Sequence, residues 1–164
     1  MVPRKVIYQR FHHPILSGVV FGWDRFVFRV AFDDVLPICD EFLRMGIEVV
    51  AGEVRGVAEI LEYLAGERRK FSVHPMPLWG TPFQRRIWCE TRNIPYGETM
   101  TYSHLALLCG RPGAARAVGN ALAKNPIPIV IPCHRIIPKS GGLGNFSAGK
   151  DVKAKLLKIE GVKI

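Results

Sequence analysis

The sequence predicts an α/β chain of the α+β kind in two parts, and three observations carry that prediction. Residues 1–75 alternate strand-period and helix-period segments, residues 76–164 are mostly helical, and a proline-laced apolar run over 125–137 ends in Cys133, His134 and Arg135. The first part reads as an N-terminal domain of β-sheet plus helices. The second reads as a winged-helix-like domain with a helix-turn-helix. The boundary falls in the irregular segment 73–80, which Pro75 and Pro77 interrupt.

Taken in order, Val6-Ile7-Tyr8, Val19-Val20-Phe21 and the stretch 26–32 have strand character, and 22–25 suits a hairpin connection, so an antiparallel meander is expected. Helical spacing over 35–45 stops at Gly46, with Asp33 or Asp34 available as N-cap, and a short strand follows over 47–50. A second helix covers 53–64 and ends at Gly66. Beyond the boundary, Thr81-Pro82 supplies an N-cap with proline at the first helical position, opening a helix to Arg92 with Phe83, Ile87 and Trp88 on one side. After a break at 93–97, helices over 102–109 and 114–124 flank Gly110-Arg111-Pro112-Gly113, the spacing of a helix-turn-helix. The second of these is rich in small residues (Ala114, Ala115, Ala117, Gly119, Ala121, Ala123) and carries one long basic side chain near its start, Arg116. The last helix, 150–160, turns Val152, Leu156, Leu157 and Ile159 to the core and so fixes Glu160 to the domain interior.

Bulk properties narrow the class. With 164 residues, 48% of them hydrophobic, the chain can bury one sizeable core or two small ones. No apolar run approaches the ~20 residues that span a bilayer, and charges stand where a signal peptide needs its apolar core, so a cytoplasmic or DNA-associated protein is expected, with no membrane partner. The net charge of +9 is unevenly placed: residues 1–75 hold ten Lys/Arg and ten Asp/Glu, and 76–164 hold thirteen and four. A basic second half is the electrostatic footprint of a nucleic-acid-binding surface. The cysteines Cys39, Cys89, Cys109 and Cys133 show no Cys-x-x-Cys pair, which argues against a zinc ribbon, and three of them read as buried apolar residues. His12-His13 lacks a cysteine or carboxylate at ligand spacing, so no metal site is expected.

The run Asn125-Pro126-Ile127-Pro128-Ile129-Val130-Ile131-Pro132-Cys133-His134-Arg135 reads as a buried strand that Pro132 terminates, passing Cys133 into a turn. A helical turn lets Cys133 and His134 reach one pocket, which extended backbone forbids. An arbitrary Cys-His pair is more often a core thiol with a surface imidazole.

Together with Gly80-Thr81-Pro82-Phe83-Gln84, Pro95-Tyr96-Gly97-Glu98-Thr99, Ala114-Ala115-Arg116-Ala117-Val118-Gly119 and Gly141-Gly142-Leu143-Gly144-Asn145-Phe146-Ser147, that run resembles the O6-alkylguanine-DNA alkyltransferases, the methylated-DNA–protein-cysteine methyltransferases. The resemblance implies a single-turnover transfer of an alkyl group from O6-alkylguanine, and from O4-alkylthymine, to Cys133. His134 would be its base, Glu160 the orienter of the imidazole, Asn125 the brace of the turn and Tyr102 the donor to the leaving guanine. It implies a base pocket of Pro128, Ile136, Phe146 and Ser147, and DNA contacts by Arg116, Ala115, Thr99, Tyr102, Arg111 and Ser140, with Arg116 the finger that replaces a base flipped out through the minor groove. The implied partner is double-stranded DNA, the implied state a monomer, and no cofactor is called for. Phe146 stands where the family often has tyrosine and Ala148 where it often has glycine. Two other classes compete: a lesion-binding relative without a reactive cysteine, which Cys133 opposes, and a Cys-His hydrolase, whose local signatures are absent.

Overall fold

The computed structural model describes residues 2–164. The chain divides into two compact units, the first closing at Leu78 and the second opening at Trp79. Together they make a mixed α+β architecture.

In the first unit β1 (Lys5–Phe11), β2 (Gly18–Trp23) and β3 (Phe26–Ala31) form the antiparallel meander that the alternating patterns predict. Asp24, at φ 54°, lies in the two-residue turn between β2 and β3, where such backbone suits the twist of the strands. Two further strands add parallel edges: β4 (Glu48–Ala51) beside β1, and β5 (His74–Pro75) beside β3, giving the order β4-β1-β2-β3-β5. The segment 73–80 is thus not wholly irregular, because His74 and Met76 donate to the carbonyls of Arg25 and Val27. Central β2 buries Val19, Val20 and Phe21 in succession, so both its faces are covered. Helix α1 (Val35–Arg44) is capped by the Asp34 carboxylate, which accepts from the Leu36 N–H, and α2 (Arg55–Leu64) presents Val57, Ile60, Tyr63 and Leu64 to the interior. Gly56 lets α2 approach the sheet closely, since a Cβ there would stand 2.9 Å from Val27.

The second unit opens with α3 (Pro82–Arg92), whose start is a reciprocal cap: Gln84 N–H to the Thr81 hydroxyl and Thr81 N–H to the Gln84 side chain. Trp88 is buried and its indole N–H donates to the Ala121 carbonyl at 2.8 Å, locking α3 onto the helix that holds Ala121. That helix, α5 (Ala115–Ala123), forms the helix-turn-helix with α4 (Tyr102–Leu108), and α6 (Lys150–Ile159) closes the chain. A short parallel ladder joins β6 (Met100–Thr101) to β7 (Ile136–Ile137).

Three expectations need correction. The run 125–131 is buried as expected but is no strand: Pro126, Pro128 and Pro132 remove ladder donors, and the chain folds back on itself with a single bridge between Pro128 and Ile131. In α6 the innermost position goes to Lys153, which is fully buried, whereas Val152 is half-buried. Of the three cysteines expected in the core, Cys89 is exposed and Cys39 and Cys109 are half-buried; all four are free thiols.

Glu59 of α2 anchors the first unit. It is 4% exposed and accepts from the Ser72 N–H (2.8 Å), the Ser72 hydroxyl and the Val73 N–H (3.3 Å). Burial alone would raise its pKa, but these bonds and Arg68 together hold it below the ordinary glutamate value. Its contribution to stability is therefore present above that value and lost as pH falls through the folded-state pKa. Glu59→Ala, which strands the buried Ser72 and Val73 donors, is expected to cost about 2–3 kcal/mol in urea unfolding at pH 7, with the gap to the parent narrowing as pH drops below about 4.

Candidate active site

The site is built outward from the proline-laced turn. Asn125 spans it, its Oδ1 accepting from the Ile127 N–H at 2.9 Å and its Nδ2 donating to the Ile131 carbonyl at 3.0 Å. Between them Ile129 is held at φ 75°, a left-handed conformation that costs a β-branched residue about 1–2 kcal/mol and that its nearly complete burial maintains. Pro132, at φ −80° and ψ 64°, then makes an inverse γ-turn closed by the Cys133 N–H on the Ile131 carbonyl at 2.8 Å. The chain leaves this turn directly into a 3-10 helix, Cys133–Arg135, so the three polar side chains fan from one turn of backbone.

Behind the thiol lies a buried ion network. His134 has no exposed surface, and its Nε2 lies 2.8 Å from Glu160 Oε1. Arg135 grips the same carboxylate through Nε (2.9 and 3.2 Å) and Nη2 (3.0 Å), and its Nη1 donates to the Ile94 carbonyl at 2.7 Å. The Gly97 N–H adds a further bond to Glu160 Oε2 at 3.0 Å. Glu160 is the C-cap of α6, which Tyr96 fastens through its hydroxyl to the Ile159 carbonyl.

In front of the thiol a cavity of about 680 Å³ opens, lined among others by Tyr102, Arg116, Cys133, Phe146 and Ser147. The β6–β7 ladder brings Tyr102, the first residue of α4, to the turn that carries Cys133. Gly144, at φ 71°, lies so close that a Cβ there would stand 3.0 Å from the Tyr102 hydroxyl. On the other side of the phenol, Gly119 of α5 would place a Cβ 3.7 Å from the ring.

Electrostatically the resting site is neutral at its reactive end. Burial pushes the Cys133 thiol up, opposed by a hydrogen bond from Asn125 and by the charge of Lys153. Burial likewise lowers the His134 pKa, outweighing Glu160, so the imidazole is an uncharged base. Tyr102 is raised, first by burial and then by Cys133, and stays protonated as a donor.

Of the residues singled out from sequence, Cys133, Tyr102, Arg116, Ala115, Phe146 and Ser147 meet around the cavity, while Asn125 and the His134–Glu160 pair lie off its lining and hold the turn that carries Cys133. Pro128 and Ile136 are buried and do not form part of the lining. Thr99, Arg111 and Ser140 are exposed and also lie off the lining; Arg111 rests over the Phe83 ring at 5.1 Å. Sequence reasoning assigned no role to Arg135 or Lys153. The spacing of Lys153 with Leu156, Leu157 and Glu160 marks it as inward-facing. Among the described residues, no group of three or more His, Cys, Asp or Glu could hold a metal ion.

A shielded thiol beside a His-Glu pair, on a unit that carries a helix-turn-helix, defines a protein-borne nucleophile set against a nucleic-acid-binding frame. The sequence profile of the 6-O-methylguanine DNA methyltransferase DNA-binding domain matches residues 82–162. The methylated-DNA–protein-cysteine methyltransferase of Methanosarcina acetivorans is 48% identical over 99 residues, 60% of this chain and 63% of that protein, so the alignment spans less than two thirds of that relative's length. Over the greater part of both chains, the crystal structure of Mycobacterium tuberculosis O6-methylguanine methyltransferase superposes with TM-score 0.80 at 35% identity, covering 94% of this chain and 92% of that one. The crystal structure of Mycobacterium tuberculosis OGT in complex with DNA gives 0.81 at 36% identity with the same coverage. The chain belongs to the methylated-DNA–protein-cysteine methyltransferase family.

The dependence of the site on Arg135 is measurable. Arg135→Met removes the guanidinium from a carboxylate with no exposed side-chain surface and leaves the Ile94 carbonyl unsatisfied. A loss of about 3–5 kcal/mol in urea unfolding is expected, since breaking a buried pair strands its partner.

Proposed function

We propose that this protein repairs DNA by irreversible transfer of the alkyl group of O6-alkylguanine, and of O4-alkylthymine, to Cys133, one molecule consumed per lesion. The observation that carries the reading is the placement of Cys133 on a cavity shared with Tyr102 and Arg116 and backed by the His134–Glu160 pair. The DNA complex of the mycobacterial structural neighbour supports DNA as the partner.

Displacement at the saturated O6-alkyl carbon needs a thiolate. With Nε2 engaged by Glu160, the buried Nδ1 of His134 is the nitrogen that takes the Cys133 proton, directly or through a water. Glu160 stabilises the resulting imidazolium, and because it is already bonded to Arg135 it reorganises little. The carbon–sulfur bond forms as the carbon–oxygen bond breaks, and the electron pair leaves on guanine, which takes a proton from the Tyr102 hydroxyl. The product is a thioether, and no group among those lining the cavity can cleave it.

Access to O6 requires the base to leave the stack, at a cost of a few kcal/mol. Helix α5 is suited to extruding it, because small residues bring the helix near the duplex and exposed Arg116 projects from its first turn to fill the gap. Thr99, Arg111 and Ser140 then contact backbone phosphates, and Phe146 and Ser147 hold the extruded base. All of the machinery comes from one chain, which fits action as a monomer wherever DNA is held, in the cytoplasm or nucleoid.

Incubation with duplex DNA carrying O6-methylguanine is expected to add one methyl mass per molecule, located on Cys133 by peptide mass spectrometry, and Cys133→Ser is expected to bind DNA without gaining mass. A mass gain elsewhere, or catalytic turnover, would overturn the reading. Arg116→Ala is expected to slow repair of duplex lesions at least about tenfold while leaving reaction with free O6-benzylguanine near the parent rate, with Arg116→Lys a partial rescue because it lacks the planar guanidinium. Equal losses on both substrates would remove Arg116 from base extrusion.

A further inference from the structure

Lys153 is fully buried and the chemistry above does not use it. Its ammonium donates to the Ile136 carbonyl at 2.6 Å and reaches the Asn145 carbonyl at 3.5 Å. Ile136 follows the turn that carries Cys133, and Asn145 belongs to the loop that brings Phe146 and Ser147 to the cavity. One cation thus ties together two backbone segments that flank the nucleophile.

Two carbonyl dipoles solvate an ammonium but carry no net charge. Among the described residues Lys153 makes no ion pair, and the buried carboxylate of the site, Glu160, is committed to Arg135 and His134. Burying a lysine without a counter-ion is costly, which is why its pKa falls to about 8. A structural tether alone does not require that cost, because a neutral amide can donate to two carbonyls. The charges that face Cys133 from each side leave one candidate. Tyr102 of α4 is neutral, His134 is neutral, Arg135 is neutralised by Glu160, and Arg116 of α5 and Lys139 of the cavity rim are exposed and screened by water. Lys153 is the buried cation that remains.

We propose that Lys153 is a positioning residue for alkyl transfer, holding the Cys133 turn and the Asn145–Ser147 loop in register while supplying the positive charge against which the Cys133 thiolate forms. This rests on Cys133 being the nucleophile. The coupling is mutual, as linkage requires: the lysine charge opposes the burial-driven rise of the thiol pKa, and the thiolate opposes the fall of the lysine pKa.

The test follows Cys133 reactivity toward iodoacetamide against pH, with peptide mass spectrometry reading Cys133 separately from the exposed Cys89. In Lys153→Met the reaction is expected to slow roughly tenfold below about pH 8, where the parent lysine is charged, and to converge on the parent rate above it. Lys153→Arg, which keeps the charge, is expected to recover most of that loss. A purely structural tether would lower the rate by the same factor at every pH, and that result would overturn the proposal. A second arm uses the parent protein and so does not depend on any variant folding. The parent's own Cys133 profile is followed through the lysine titration, and the rise of log rate with pH is expected to flatten near pH 8 as the lysine charge is lost. A rise of unit slope straight through that region to the thiol midpoint would likewise overturn the proposal. Neither arm contains DNA, so failure here is distinct from failure of the repair reading, which the mass gain from lesion DNA decides on its own.

Discussion

A carboxylate with no exposed surface is costly to keep ionised, and the second unit is arranged around satisfying one. Glu160 takes hydrogen bonds from His134, Arg135 and the Gly97 backbone, while Arg135 reaches on to Ile94. The segment 94–97, the nucleophile turn and the end of α6 therefore converge on two oxygens. Removing any one of these partners leaves a charge in a low-dielectric interior, so the position of the reactive turn is set by electrostatics as much as by packing. The apolar residues around it, Ile127, Ile129, Ile136, Leu156 and Leu157, supply the burial that makes the carboxylate matter.

That arrangement separates readiness from reactivity. The half-buried thiol and the fully buried imidazole both favour their uncharged forms, so Cys133 rests protonated. Under the proposed single-use reaction this is an advantage, because a permanently ionised thiol would be spent on stray electrophiles. Fixed groups act on both ends of the proposed proton transfer: Asn125 meets the sulfur side, and Arg135 holds Glu160 in place for His134 while its own charge disfavours the imidazolium. Around Tyr102 the constraint is steric, since a side chain at Gly144 would crowd its hydroxyl, while a Cβ at Gly119 would meet the ring at ordinary contact distance.

How far the sequence foretold this depends on the kind of signal. Period and punctuation carried the meander, Thr81-Pro82 carried the start of α3 together with its cap, and Gly110 to Gly113 carried the helix-turn-helix. The strand over 47–50 was legible but its parallel pairing was not, because nothing local in Glu48–Ala51 marks β1 as its neighbour, and His74–Pro75 escaped altogether because it is too short to show a period. The run 125–131 misled because β-branched composition argues for a strand, while its prolines and the left-handed Ile129 turn the same residues into a compact knot. Within the site, Cys133, His134, Tyr102 and Arg116 were legible as residue types in motif order. Arg135 and Lys153 were missed, because charged residues are read by default as solvent-facing; the helical spacing of Lys153 already marked it as inward, whereas Arg135 shows its place only through its burial.

The short ladder between β6 and β7 also orders events in time. Helices α3, α4 and α5 are neighbours in sequence and can assemble from local contacts, whereas pairing Met100–Thr101 with Ile136–Ile137 must first close the long loop between them. The cavity is completed only by that closure, since Tyr102 stands on one side of it and Cys133 on the other. During folding the thiol thus passes through states in which neither its shield nor its base is assembled. Newly made chains are then most open to oxidation and to non-productive alkylation, and under the proposed one-lesion reaction the fraction that escapes would set how many repair equivalents each round of synthesis delivers.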